Sequence, residues 1–391
     1  MNHSANSYDV VIAGGGPAGS SAAIHLAARG ARVLLAEQKK FPRAKLCGEF
    51  ISPECLDHFE RLGVADRMMA AGGARLTQTV FYSRGGRSVN VPSEWFSSQP
   101  GALGLSRAEM DHKLLERARE AGVEVLEDTQ ACGLILEERR LRGIQLKSSD
   151  VVSGATALVT VDATGRTRAL ARRLNGDGKK SKKSRAPFVA FKAHLENAHV
   201  AEGACEIYFY AGGYGGLSSV ENGLSNLCFI ASAKDVRACA SDAERVMREV
   251  VTRNSRAAYT LAHARTRTEW LGVSLESFGR QEPVPADGLL TIGDAAAFID
   301  PFTGSGMLMA LESGEVAAGV IMDHLQGLRK GESFAAITRD YRTIYRQRFA
   351  ARLRVCALLR RAAFVPRLAE ASMLLFGASD RVRRALARAT R

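Results

Sequence analysis

The chain has 391 residues, 46% hydrophobic and 24% charged, and a net charge of +13, enough for a large core and more than one domain. No run of about 18 apolar residues is present to span a bilayer, no basic-then-apolar leader precedes Tyr8, and seven cysteines without a C-x-x-C pair argue against a disulfide or zinc framework; a cytoplasmic protein without a bound metal is expected. The positive charge gathers late, with thirteen arginines against three acids from Asp340 to Arg391, yet without interleaved stacking aromatics, so no nucleic-acid partner is expected.

In chain order, Val10 to Ile12 read as a buried strand that ends in Gly14-x-Gly16-x-x-Gly19 and runs into an alanine-rich helix. Gly14 permits the turn, and Gly16 lets the backbone approach a pyrophosphate. Gly19 lets helix and strand pack closely, and Pro17 and Ala18 form the helix's first turn. That helix start offers free N–H groups and partial positive charge. A second strand, Ala31 to Glu37, places Glu37 eighteen residues past Gly19, where an acid accepts bonds from ribose hydroxyls. A loop, Gln38 to Glu49, leads to a helix capped by Ser52 with Pro53 at its first position, running to about Arg61. A short second helix precedes Gly72. Leu76 to Tyr82 and Arg87 to Val91 read as a hairpin. Ser106 and Glu109 form a capping box for a helix that starts at Arg107 and runs to Gly122. Short strands follow at Glu124 to Glu127, Gly133 to Glu137, Gly143 to Leu146 and Ala157 to Val161, and the run Lys179 to Arg185 reads as a solvated loop.

From Phe188 to Trp270 the pattern has period two, with strands at Phe188 to Leu195, Cys205 to Tyr210, Gly215 to Val220 and Asn226 to Ala231, interrupted by one helix from about Ala240 to Arg253. Tyr208, Phe209, Tyr210 and Tyr214 are core residues or pocket lining. Gly288 to Ile292 then forms a strand ending in Gly293-Asp294. Gly304 and Gly306 precede a helix of small residues, whose N-terminus is a second place for negative charge. The expected fold is therefore α/β (α+β overall). A Rossmann-like nucleotide domain (1–75, 101–185 and 281–330) carries an inserted antiparallel substrate sheet (76–100 and 186–280) and basic C-terminal helices (331–391). In the last helix, opened by Ser379 and Asp380, Val382, Ala385, Leu386 and Ala389 form one stripe opposite arginines. Such a helix suits either an anionic membrane surface or a solvated cap.

Taken together, Gly14-x-Gly16-x-x-Gly19, Glu37, Arg107 opening a helix, Asp162-Ala-Thr164-Gly165, Gly293-Asp294, Pro301 and Gly304-x-Gly306 resemble the FAD-dependent oxidoreductases related to p-hydroxybenzoate hydroxylase. Within these the chain is most similar to the geranylgeranyl reductase and lipophilic-substrate monooxygenase branch, from about Asp9 to Ala318. The resemblance implies noncovalent FAD. Gly14, Gly16 and Gly19 would hold its pyrophosphate, Glu37 its ribose, Arg107 the phosphate or ribityl part, Asp294 a ribityl hydroxyl, and Gly304 to Gly306 the edge of the ring. Cys47 and Gly48 match a loop that lies close to the flavin in the reductases, where a cysteine is followed by glycines; here Glu49 replaces one. Lys45 or Arg43 is expected to pair with Glu49, or else Glu49 serves the helix start at Pro53. Tyr214 to Val220 lacks the reductases' Tyr-x-Trp-x-Phe-Pro strand, and the halogenases' Trp-x-Trp-x-Ile-Pro signature is absent.

No second G-x-G-x-x-G stands on a strand–helix frame, so electrons are expected from NAD(P)H visiting the flavin face or from a partner reductase. Two reactions on a lipophilic substrate fit. Monooxygenation in a dry pocket ranks first, and ene-reduction with Cys47 as the acid is the alternative. A halogenase and a non-catalytic flavoprotein rank below both.

Overall fold

The computed structural model describes residues 7–99, 101–138, 140–174, 186–275, 278–299, 304–363 and 379–391. The lysine run 179–185 and Pro301 lie outside the described residues.

The strand Ser7–Ala13 is buried on both faces, as a continuous apolar run predicts. It pairs in parallel with Val33–Ala36 on one side and Val151–Asp162 on the other. Glu124–Leu126 and Leu289–Thr291 extend the parallel sheet outwards. Ala13, Ala36, Asp162 and Thr291 thereby end their strands at one edge, the edge where ligands bind in open α/β sheets. The N-terminal half of Val151–Asp162 instead joins an antiparallel meander with Arg140–Ser148 and Thr129–Glu137. Both are longer than the sequence suggests, because glycines at 133 and 143 hide their alternation. Gly143 is required there: with φ near 148°, an added Cβ would lie 2.0 Å from the Ala155 carbonyl.

Helix Pro17–Ala28 packs on the sheet and against Gly306–Arg329. Small residues set that closeness, since a Cβ on Gly314 would stand 2.5 Å from the Ala18 carbonyl. Ser21 Oγ also donates to the Leu311 carbonyl across the pair.

The second sheet runs Arg265–Thr266, Phe188–Glu196, Ser225–Ser232, Gly213–Ser219, Ala204–Tyr210, Gln78–Tyr82, Ser88–Pro92, with Leu271–Leu275 also on Phe188–Glu196. Among the described residues its pairs are antiparallel except one: Ala204–Tyr210 lies parallel to Gln78–Tyr82. The chain between those two strands passes through the nucleotide half, which permits the crossover that a parallel pair needs. One face, with Phe191, Ala193, Leu217, Leu227 and Phe229, packs under short helices. The other face looks back toward the first sheet.

Those helices correct the single helix expected over 240–253. The structure has Ala233–Ala238, Ala243–Glu249 and Ser255–Thr260. Ala240 and Ser241 take left-handed φ angles of 56° and 61°. Asp242 accepts from Arg245 N, and Asn254 accepts from Arg256 N and Ala257 N, so each capping side chain starts a new helix.

A small sheet of Phe50–Ile51, Ala102–Gly104 and Ala74–Leu76 joins the two halves. Helix Ala335–Ala363 lays Ile337, Tyr341, Tyr345, Phe349 and Cys356 into the core against Gly306–Arg329. The tail helix Asp380–Ala389 docks on Trp95 and Phe96: Arg383 and Arg384 stand over the Trp95 ring, Arg388 Nε donates to the Trp95 carbonyl and Arg391 covers Phe96. Its predicted apolar stripe is split. Leu386 turns toward the body, while Val382, Ala385 and Ala389 are exposed. No helix among the described residues is long and apolar enough to cross a membrane.

Candidate active site

One cavity of about 550 Å³ lies between the carboxyl edge of the parallel sheet and the open face of the second sheet. Its nucleotide end is lined by Gly14, Gly16, Pro17, Ala18, Glu37, Gly48, Arg107, Asp294, Gly304 and Gly306, so the structure brings together nearly every residue singled out in the sequence. Cys47 stands on the loop between this end and the sheet, whose lining includes Phe81, Ile207, Phe209, Tyr214 and Ile230. Gly19 is the exception. It lies beneath the turn, outside the cavity lining, where a Cβ would meet the Gly14 carbonyl at 1.9 Å.

Two helix N-termini open on the cavity. Neither Gly16, before Pro17–Ala28, nor Ser305, before Gly306–Arg329, caps its helix with a side chain, and neither first turn carries an acid. Their free N–H groups and dipoles favour anionic or electron-rich groups at both ends. Space is left for such a ligand: a Cβ on Gly16 would meet only the Arg107 guanidinium, at 3.8 Å, and one on Gly48 would meet nothing within 4 Å.

Polar groups around that space fit a dinucleotide. Glu37 is buried and anchored by the N–H groups of Gly15, at 2.8 Å, and Lys39, at 3.0 Å. Asp294 has no donor among the described residues. Burial pushes its carboxyl up, while Arg166, Arg107 and Lys45 pull the other way. A carboxyl group so enclosed and unbonded suits a ligand hydroxyl. Arg107 is held by Asp111 through bonds of 2.8 and 2.7 Å. Burial lowers the guanidinium's pKa, but the charge of Asp111 and its hydrogen bonds more than offset it and hold Arg107 protonated. Lys45 is drawn down by burial and then by Arg107 and Arg43. These residues would hold FAD as the resemblance implies, with Gly14 to Ala18 at the pyrophosphate and Asp294 at the ribityl chain.

Glu49 differs from what the sequence suggested. It pairs with neither Lys45 nor Arg43. Its carboxylate meets Lys192 Nζ and His194 Nε2, both at 2.6 Å, and accepts from the Arg107 N–H at 2.9 Å. It thus serves a helix start, but that of Arg107–Glu120 and not the one at Pro53. Sequence reasoning missed Lys192, His194 and Asp111. The first two had a signal, since charged residues alternate with Phe191, Ala193 and Leu195 on an otherwise apolar strand.

At the far side the tail closes the cavity with Arg383, Leu386, Ala387, Thr390 and Arg391. Ser305 Oγ donates to the Thr390 carbonyl at 2.7 Å and accepts from Arg391 Nη1 at 3.0 Å. Arg391 also pairs with Glu54 at 3.3 Å. The tail is therefore tied to the residue that begins the flavin-side helix.

This fold and cavity define a flavin-dependent oxidoreductase, and comparison with known proteins agrees. The FAD binding domain model matches residues 7–348, and the chain belongs to that family. It is 26% identical over 347 residues to digeranylgeranylglycerophospholipid reductase 2 of Methanopyrus kandleri, covering 88% of this chain and 83% of the relative. It is 27% identical over 331 residues to menaquinone reductase of Mycolicibacterium smegmatis, covering 79% and 75%. Among solved structures it is similar to the flavin-dependent brominase Bmp2, with a TM-score of 0.81 at 22% identity over 98% of this chain and 93% of that one. It is also similar to a geranylgeranyl bacteriochlorophyll reductase-like protein of Thermoplasma acidophilum, with a TM-score of 0.74 at 22% identity over 92% and 88%. At these identities the structural likeness speaks for the fold alone.

Proposed function

We propose that this FAD-dependent enzyme hydrogenates a carbon–carbon double bond of a lipophilic substrate, with NAD(P)H or a partner reductase as the electron source. Cys47 carries the reading. It is a thiol on the cofactor-side loop, beside Arg107, at the border between the nucleotide end and the apolar end of the cavity. Bound FAD, once reduced by that electron source, would supply the hydride. The chain's own part is to hold the alkene against the aromatic and aliphatic face of the sheet, exclude water, and place one proton donor. Cys47 Sγ–H gives that proton to the alkene carbon that does not receive the hydride. The other thiols of the lining, Cys205 and Cys228, are raised by burial and lie on sheet strands. Relatives named as reductases of a digeranylgeranyl lipid and of menaquinone support the same order of preference.

Monooxygenation, ranked first from the sequence, retains one specific support. Among the described residues, no carboxyl group lines the apolar half of the cavity, and oxygen transfer needs an enclosed dry chamber more than an acid. Product analysis with and without oxygen separates the two. Reduction at full rate without oxygen is expected, and Cys47→Ala should keep FAD while losing about a hundredfold in turnover, the usual scale of general acid catalysis. Product that requires oxygen and carries its atom would overturn the reductase reading.

A further inference from the structure

Three glycines stand close together in the strand Gly213–Ser219 of the second sheet, and the fold accounts for two of them. A Cβ on Gly213 would lie 1.9 Å from the Ile230 carbonyl, and one on Gly215 would lie 3.0 Å from Phe229 Cβ, in the sheet's own core. Gly216 is different. Its φ lies outside the left-handed region. Among the described residues an added Cβ would meet only Ile207 Cδ1, at 3.1 Å, and the Glu206 carbonyl, at 3.9 Å. The first is the movable end of a side chain, so neither backbone conformation nor backbone approach demands a glycine there. Glycine inside a strand weakens it, and it often marks the close approach of a ligand.

The pleat puts Gly216 on the face toward the cavity. Tyr214 and Gly216 line that space, whereas Leu217 packs in the core on the opposite side. Gly216 is paired with Cys228 on one flanking strand and with Ile207 on the other. Gly216 and Cys228 therefore form a floor two strands wide and almost bare of side chain, with Ile207 at its end. Tyr214 and Ile230, paired one step along the same two strands, form a wall. One step the other way, Ser218 pairs with Asn226, whose Nδ2 donates to the Cys47 carbonyl at 3.1 Å. Successive steps are two residues, or about 7 Å, apart. The recess thus lies between the loop that carries Cys47 and the wall of Tyr214 and Ile230.

We propose that Gly216 is a specificity-determining residue and that its recess receives a planar cyclic group of the substrate, laid flat on the strand backbone beside the Cys47 loop. The proposal rests on the apolar half of the cavity holding the substrate, whichever reaction follows. An unbranched chain has no use for a missing side chain, since apolar walls surround it throughout that half. A ring does: the bare peptide groups at Gly216 are flat, the Cys228 thiol is polarisable, and Tyr214 offers an aromatic neighbour.

Isothermal titration calorimetry of the oxidised holoenzyme reads binding without turnover, with 2-naphthol as the planar probe and 1-decanol as the unbranched one. Gly216→Ala should keep its flavin absorbance and melt no lower than the parent, because only Ile207 has to yield and the unfolded chain loses freedom. It should bind 2-naphthol about tenfold more weakly and 1-decanol within about twofold of the parent, and Gly216→Val should weaken 2-naphthol about a hundredfold. A parent that does not bind 2-naphthol, equal losses for both probes, or an unchanged 2-naphthol affinity in Gly216→Ala overturns the recess. So does a Gly216→Ala protein that loses flavin or melts well below the parent, since the glycine then serves the fold. Product that requires oxygen overturns the proposed reduction instead, and leaves these affinities and the recess standing.

Discussion

Glu49 adopts a φ of 53°, a left-handed conformation in which glycine has no penalty and other residues cost of order 1 kcal/mol or more. The resemblance drawn from the sequence implies glycine in that part of the loop; here a side chain occupies a backbone that suits glycine and is tied down by three donors. Nothing local in the sequence reveals this, because Lys192 and His194 stand 143 and 145 residues away. Gly16 was legible for the opposite reason: its purpose follows from a turn of six residues and the helix after it. Gly16→Val should therefore purify without FAD, as its side chain would fill the space beside Arg107; full flavin content in that variant refutes the cradle. Asp294→Ala should also empty the site. Asp294→Asn, which keeps an acceptor for a hydroxyl, should retain more flavin than Asp294→Ala, as absorbance after gel filtration would show.

Between elements, the contact of helix Pro53–Leu62 with Gly306–Arg329 carries a charge-dependent part. His58 and Arg61 meet Glu315, and the His58 bond, followed by Arg61, lowers that carboxyl from 4.5 to about 2. A depressed carboxylate stabilises the fold above its unfolded value and loses that contribution as pH falls through the folded one. Glu315→Gln should thus be less stable than the parent at about pH 6, with the gap closing between 4.5 and about 2. The gap will be modest, since Glu315 is about one-third exposed and partly screened. Thermal midpoints of both proteins across pH test it; a gap that persists to the lowest pH contradicts the assignment. Helices with such strong start signals were readable in the sequence. The 240–253 region was not, because Asp242 and Asn254 read equally well as interior polar residues until their caps are seen.

For the whole molecule, the tail decides how the cavity meets its surroundings. Arg383, Leu386, Thr390 and Arg391 face inward, leaving Arg381, Val382, Ala385 and Ala389 exposed. The sequence left membrane contact and a plain cap open, and the docked helix serves as a wall of the cavity in either case. Sedimentation with anionic vesicles distinguishes them. If the outer face binds lipid, Arg381→Gln should lower partitioning about fivefold, at about 1 kcal/mol per arginine near the surface. Equal partitioning of variant and parent leaves only the wall.

The parallel pair of the second sheet, Ala204–Tyr210 beside Gln78–Tyr82, also governs how this enzyme can be recombined with its relatives. A cassette cut from 186 to 280 would carry its own hydrophobic layer, yet it would leave one strand edge unpaired and Lys192 without Glu49. Chimaeras meant to exchange substrate preference must therefore transplant three pieces at once: the late sheet, the early hairpin through Pro92, and the loop around Glu49. Grafts that move the late sheet alone should yield misfolded chains and leave substrate preference untested.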